Sequence, residues 1–266
     1  MRRWGRPARS ALPAVLLAAA GCTVTPLTNK VSPGDDAFVV VVGEGDDNAT
    51  DLFAAPAGGG SFARFTFNRP VEDLPKLDPT GTRLAFVRRS ASRDSVVSLV
   101  VLDLVKNEEQ RAALPAGLPY PTALGWGRNG KVVIVRAATL YQADLTPTLG
   151  GIVPVPAAER AAADSAVEEL LGDPPQGVAR FCGGQACIVA TGGDSTMLGN
   201  QARDPVRWGP DSVAYFVGNV LEVRPLGGGR VRRPTWTGTP RHARLLTYHP
   251  GSPHHSGRET GLSTGR

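Results

Sequence analysis

Aromatic residues make up only 6% of the 266-residue chain, so its core must rest on Val, Leu, Ala and Ile. Cysteine is scarcer still, with three residues. Two of them, Cys182 and Cys187, are separated by four residues, two of which are Gly. A thioredoxin-type redox pair has two intervening residues, and a structural zinc site needs two further ligands that no second Cys pair supplies. The spacing suits a hairpin closed by a disulfide in an oxidising compartment, worth about 2 kcal/mol on the loop-entropy model; a redox pair and half of a metal site are the alternatives. No apolar run reaches the roughly 20 residues that a membrane-spanning helix needs. No Gly-x-Ser-x-Gly nucleophile elbow occurs. The glycine runs at 58–60 and 227–229 lack the Lys-Ser/Thr of a phosphate loop and do not open a helix.

Acidic residues are also missing from the N-terminus, where Arg2, Arg3, Arg6 and Arg9 precede the apolar run Ala11 to Ala20. That run has the length of a secretory h-region, and Ala19-Ala20-Gly21-Cys22 follows it. This arrangement resembles the lipobox of bacterial lipoproteins, with Ala19 where the family usually carries Leu. The resemblance implies cleavage before Cys22, a diacylglyceryl group on its thiol, and a lipid-anchored protein of the cell envelope facing the periplasm or exterior. An ordinary cleaved signal is the alternative. The chain then divides into a signal peptide at 1–21, a lipidated tether at 22–34, a folded body at 35–236 and a basic tail at 237–266.

Removal of the signal changes the charge balance. The whole chain carries 29 basic and 24 acidic residues, and four of the basic ones leave with the signal. The remaining excess of one gives no basis for nucleic-acid binding. Charge is nevertheless uneven. Residues 223 to 266 hold eight Arg and one Glu, together with all four His residues.

Gly and Pro number 32 and 23, a density that favours turns over long helices. Phe38 to Val42, Arg83 to Val87, Val97 to Leu104, Lys131 to Val135, Cys187 to Ala190 and Val213 to Val217 are strand-sized apolar runs. One helix is expected, Ala157 to Leu171, bounded by Pro156 and by Gly172 with Pro174-Pro175.

Repetition points to the architecture. Leu77-Asp-Pro-Thr-Gly-Thr-Arg-Leu-Ala-Phe-Val87, Gly125-Trp-Gly-Arg-Asn-Gly-Lys-Val-Val-Ile-Val135 and Arg207-Trp-Gly-Pro-Asp-Ser-Val-Ala-Tyr-Phe-Val217 each join a tight turn to an apolar strand. Asp51 to Gly60, Ser98 to Asp103, Leu140 to Asp144 and Val220 to Gly229 read as the strands and turns that follow. The turn residues Gly59, Asn107, Gly150 and Gly228 lie 48, 43 and 78 apart, the last interval being two periods. These units resemble the Trp-Ser-Pro-Asp-Gly repeats of TolB-like, WD-type β-propellers. The resemblance covers roughly residues 35 to 235 and implies an all-β propeller of five to six four-stranded blades, one degenerate and carrying the helix. Radial stacking of blades buries faces that one blade cannot bury alone. Tyr248-His-Pro-Gly-Ser252 looks like the start of a sixth unit. Either the strand at Phe38 completes the ring, or the C-terminal segment is a disordered tail or truncated blade.

Few residues read as a site. Asp46, Asp47, Asn48 and Asp51 miss the alternating spacing of a calcium loop and read as a turn. His242, His249, His254 and His255 could bind metal, but they lie in an Arg-rich, Gly/Ser-rich tail without ordering acids and read as solvated. No metal or cofactor is expected. The TolB-like resemblance implies a non-enzymatic platform for an envelope protein partner, contacted through loops on one face. The alternative is an enzyme or a sugar- or small-ligand-binding protein with its site at the central channel. The apolar runs, taken as the innermost strands, speak against that alternative.

Overall fold

The apolar runs at Phe38–Val42, Arg83–Val87 and Val213–Val217 fall in strands buried on both faces, and the two faces serve two different neighbours. The computed structural model describes residues 27, 30–45, 49–67, 70–90, 96–118, 120–136, 139–145, 148–171, 178–182, 185–189, 195–198, 202–209 and 211–252. Strand β1 (Ala37–Glu44) pairs antiparallel with β2 (Thr50–Pro56), and short strands β3 (Gly60–Ser61) and β4 (Ala63–Arg64) follow, β4 pairing with β2. Strands β5 (Val71–Leu77), β6 (Arg83–Arg89), β7 (Val97–Asp103) and β8 (Glu108–Ala113) form a second antiparallel meander. Strands β9 (Ala123–Trp126), β10 (Val132–Arg136), β11 (Thr139–Ala143) and β12 (Val153–Pro154) form a third. A 3-10 turn at Ala157–Glu159 leads into helix α1 (Arg160–Leu171). Then come β13 (Val178–Cys182), β14 (Gln185–Val189) and β15 (Ser195–Met197), followed by β16 (Ala202–Trp208), β17 (Ser212–Val217) and β18 (Val220–Pro225). Strand β19 (Trp236–Thr237) crosses to pair with β3, and β20 (Arg244–Pro250) pairs antiparallel with β1.

The described strands group into five antiparallel sets in chain order, the first two joined by a parallel bridge between Thr50 and Val71, arranged as the β-propeller that the repeats implied. The first is made from both ends of the described chain, in the order β20-β1-β2-β4. The fourth and fifth have three strands among the described residues, and the fifth adds an isolated bridge between Val223 and Arg232. The first strands of the units meet one another. Strand β5 touches β20 and β9, and β16 touches β20 and β13. Helix α1 touches β9 and β13, so it stands between the third and fourth units.

The hydrophobic clusters mark the joints between neighbours. Phe38, Val40 and Val42 of β1 pack on Leu77, Leu84, Phe86, Val100 and Leu102 of the second unit. The intervening Val39 and Val41 pack on Ala214, Phe216, Leu221 and Val223 of the fifth. Ala85, Val87, Leu99 and Val101 point the other way, to Leu124, Trp126, Val132 and Ile134. Val133 and Leu140 face Ala163 and Ala166 of α1, and Val213 and Tyr215 join Leu198 beyond β15. Successive side chains of a strand point to opposite faces, so a strand between two neighbours must be apolar at every position. Each fully buried Val, Leu or Phe adds on the order of 2 kcal/mol over leaving it exposed.

Strand β20 falls in the segment 237–266 that the sequence suggested as a tail or truncated blade. His249, expected to be solvated, is a correction. It is 5% exposed, its ring meets Phe38 at 5.8 Å, and it fills the space beside Gly81. His254 and His255 lie outside the described residues. Asp51 also departs from the expected turn: it sits in β2, fully buried, 2.7 Å from the Arg64 guanidinium.

Candidate functional site: two faces of the ring

The tight turns repeated in the sequence all lie at the ends of the first strands. Asp78 shows why the motif carries a carboxylate. Its Oδ1 accepts the N–H groups of Thr82 and Arg83, each at 2.9 Å, and its Oδ2 accepts the Thr80 hydroxyl at 2.7 Å and Arg83 Nε at 3.1 Å. A short side-chain acceptor that reaches its own backbone fixes such a turn. Gly81 supplies the left-handed residue at φ +67°. In the next unit Asn129 takes the same part, with Oδ1 accepting Lys131 N–H at 3.2 Å. The chain also enters the body on this turn face. Val31 is buried in the joint between the first two units, and Gly34 lies against Thr82.

A cleft of about 370 Å3 opens on the turn face between the Asp78 turn, the 127–130 turn and α1. Its walls include Thr80, Arg83, Trp126, Arg128 and Ser165. The Trp126 indole is fixed by Nε1 donating to Lys76 O at 3.0 Å, and Arg83 lies over its ring at 4.8 Å. The Arg128 N–H reaches Ala162 O at 3.3 Å and Ser165 Oγ at 3.1 Å, which ties the turn to the helix.

The opposite, hairpin face is where the first strands begin, and their residues there are charged. Strands β5 and β16 share one device. Leu74 (φ +52°) and Asp204 (φ +51°) are left-handed residues directly before Pro75 and Pro205. The ladders slip at the same points, between Asp73 and Lys76 and between Arg203 and Val206. Proline has no N–H for the ladder and is tolerated at such bulges, which re-aim neighbouring side chains. Backbone strain of this kind collects at functional sites.

Around this mouth Asp73 Oδ2 accepts the Tyr120 hydroxyl at 3.3 Å, and Arg244 stands 3.8 Å from Oδ1. Partial burial first, and the Asp73 carboxylate second, hold the Tyr120 phenol above its usual range. Arg203 pairs with Asp204 at 3.1 Å and donates to the carbonyls of Ala243 and Gly218 at 2.6 and 2.7 Å. His242 and Glu44 stand 3.8 Å apart at the rim. The Arg203 and Arg244 side chains are 34% and 41% exposed, so a partner can reach them. The innermost strands are thus not the apolar runs expected from sequence, and the argument those runs supplied against a channel site falls. The signal was present in Glu72-Asp-Leu-Pro75 and Arg203-Asp-Pro205: an acid close before a proline, just ahead of a tight turn.

A second charged group is internal. Glu72 and Arg88 are 0% and 3% exposed, with Arg88 Nη2 2.7 Å from Glu72 Oε1 and Nη1 2.7 Å from Glu109 Oε1. Thr66 donates its hydroxyl to Glu72 and accepts Leu52 N–H. All these polar atoms are satisfied by protein, which marks the group as a strut between the first two units.

Cys22 lies outside the described residues. Cys182 stands opposite Gln185 and Cys187 opposite Arg180, which leaves the two cysteines two positions apart across the β13–β14 ladder. Cys187 is fully buried.

No family model matches the chain, and no curated protein matches it. Solved structures do resemble it. TolB from Acinetobacter baumannii is 14% identical over 84% of this chain and 68% of its own, with a TM-score of 0.40. Virginiamycin B lyase from Staphylococcus aureus is 10% identical over 79% and 72%, with a TM-score of 0.33. A streptogramin B lyase is 9% identical over 78% and 86%, with a TM-score of 0.29.

Proposed function

We propose that this chain is a non-enzymatic, lipid-anchored protein of a bacterial cell envelope whose hairpin face is a docking platform for a protein partner. The lipid is assigned to Cys22 and a stabilising disulfide to Cys182 and Cys187. The opposition of the two faces carries this reading. The chain enters the body on the turn face, beside Thr82, and eight residues lie between Cys22 and buried Val31, with Leu27 among them already buried. At most about 3.5 Å per residue, such a tether keeps the turn face near the membrane. The charged mouth around Asp73, Arg203, Asp204 and Arg244 then looks away from the bilayer, toward partners. Charged rims of this kind set association rate and specificity more than affinity.

Cys22→Ser should abolish fatty-acid labelling and release the protein into the soluble fraction. Photo-crosslinking from a probe at residue 242 should trap one envelope protein. Arg244→Glu should reduce that yield at least fivefold, and Lys106→Gln should leave it unchanged. Equal crosslinking by Arg244→Glu would remove the platform reading. A second reading, a small ligand or substrate at the central channel, is favoured by the charges on the innermost strands. It requires saturable binding of a small molecule that Arg244→Glu abolishes.

A further inference from the structure

Two arginines of the turn-face cleft carry guanidinium nitrogens that have no hydrogen-bond partner among the described residues. The Arg83 guanidinium is hydrogen-bonded through Nε alone, to Asp78. Among the described residues its terminal amino groups have no partner. The Arg128 guanidinium likewise has no ion pair or hydrogen bond among the described residues, although its backbone N–H is held by Ala162 and Ser165. The fold thus fixes the Arg128 turn against a helix and leaves its charge free. Asp78 is the one carboxylate among the cleft's described walls, and both its oxygens are engaged by its own turn. Arg83 is further pinned over Trp126, which limits the rotamer entropy lost on binding.

We propose that this cleft binds a phosphate group of a small phosphate ester, held between Arg83 and Arg128. One guanidinium fork satisfies a planar carboxylate. Two forks arriving from separate turns suit a tetrahedral phosphate, whose oxygens lie in more than one plane. About 370 Å3 is at the small end of ligand pockets, room for a phosphate and a short polyol or similar group. The tether leaves on this same face, so the ester is either a soluble metabolite or the headgroup of an anionic lipid. Only the lipid source rests on the anchoring reading.

The test uses the full chain carrying Cys22→Ser, with two probes at constant ionic strength. Glycerol phosphate is titrated by calorimetry. Co-sedimentation is measured with phosphatidylcholine vesicles with and without phosphatidylglycerol. Saturable binding of glycerol phosphate, weakened at least tenfold by Arg128→Gln and by Arg83→Gln but not by Lys106→Gln, supports a soluble ester. Phosphatidylglycerol-dependent sedimentation lost in Arg128→Gln supports the headgroup. Arg128 is exposed, so unchanged thermal unfolding of Arg128→Gln separates binding from folding. Neither probe binding the parent, or both binding Arg128→Gln equally, overturns the site. Failure here leaves the Cys22 labelling result untouched, so the two readings fail separately.

Discussion

Trp208 lies flat against Tyr248, ring centroids 4.2 Å apart and planes 13° from parallel. The pair joins the first strand of the fifth unit to the strand that completes the first, and so sits on the closing joint of the ring. Burial drives the Tyr248 phenol above its usual range, as expected for a ring enclosed by Trp208, Val223 and Val39 in one cluster.

Tyr248→Ala removes this stack and leaves a space that Trp208 can only partly refill. A loss of about 2 kcal/mol is expected, below a fully buried aromatic because the ring is half-buried. Tyr248→Phe should stay within about 0.5 kcal/mol of the parent, since it keeps the stacked ring. Denaturant midpoints at constant m-value read both. An alanine variant as stable as the parent would show that closure does not depend on the stack.

The Glu72–Arg88 strut tests a different physics. Glu72→Ala leaves Arg88 buried with one of its two carboxylates, and a loss of about 3 kcal/mol is expected. The double change Glu72→Leu with Arg88→Leu should cost less than the two single changes together, because no unpaired charge remains. A double-mutant cycle measures that coupling, and strictly additive losses would contradict it.

A pH effect is expected at the 3-10 turn that leads into α1. Glu159 Oε2 takes Lys131 Nζ at 2.7 Å and the amides of Gln142 and Asn129 at 3.0 Å. The Lys131 bond first, and Gln142 next, hold the Glu159 carboxyl below its usual 4.5. A carboxyl whose pKa falls on folding contributes fully above that usual value. Its contribution is lost as the pH drops through the lower, folded value. Glu159→Gln should therefore flatten the acid limb of a stability–pH profile, and the parent's Glu159 should titrate below 4.5 by NMR. Superimposable acid limbs in parent and variant would sink this expectation.

Much of the architecture was legible from residues. The unbroken apolar runs at Phe38–Val42, Arg83–Val87 and Val213–Val217 are what strands buried on both faces require, and the structure places strands at all three. The helix was bounded by Pro156 and Gly172, and it appears as a 3-10 turn followed by Arg160–Leu171. The innermost strands were not legible. Strands β5 and β16 carry proline, charge and a left-handed residue, features that read as loop because the period of two breaks at each bulge. His249 failed for a related reason. The segment beyond it is rich in Gly, Ser and Arg, whereas its neighbours in space, Phe38 and Gly81, lie some 200 and 170 positions earlier. Local composition holds no trace of such a partner.

The pairing of β20 with β1 has a consequence for how the molecule is made. Phe38 faces His249 across that ladder, so one edge of β1 waits for a mate made some 200 residues later. Until β16–β18 are made, Val39 and Val41 have no fifth unit to cover them, and until β20 follows, the first sheet shows an unpaired edge. Contacts this distant in sequence form slowly, and unpaired strand edges favour association with other chains. A chaperone that holds the nascent chain extended would meet this need directly.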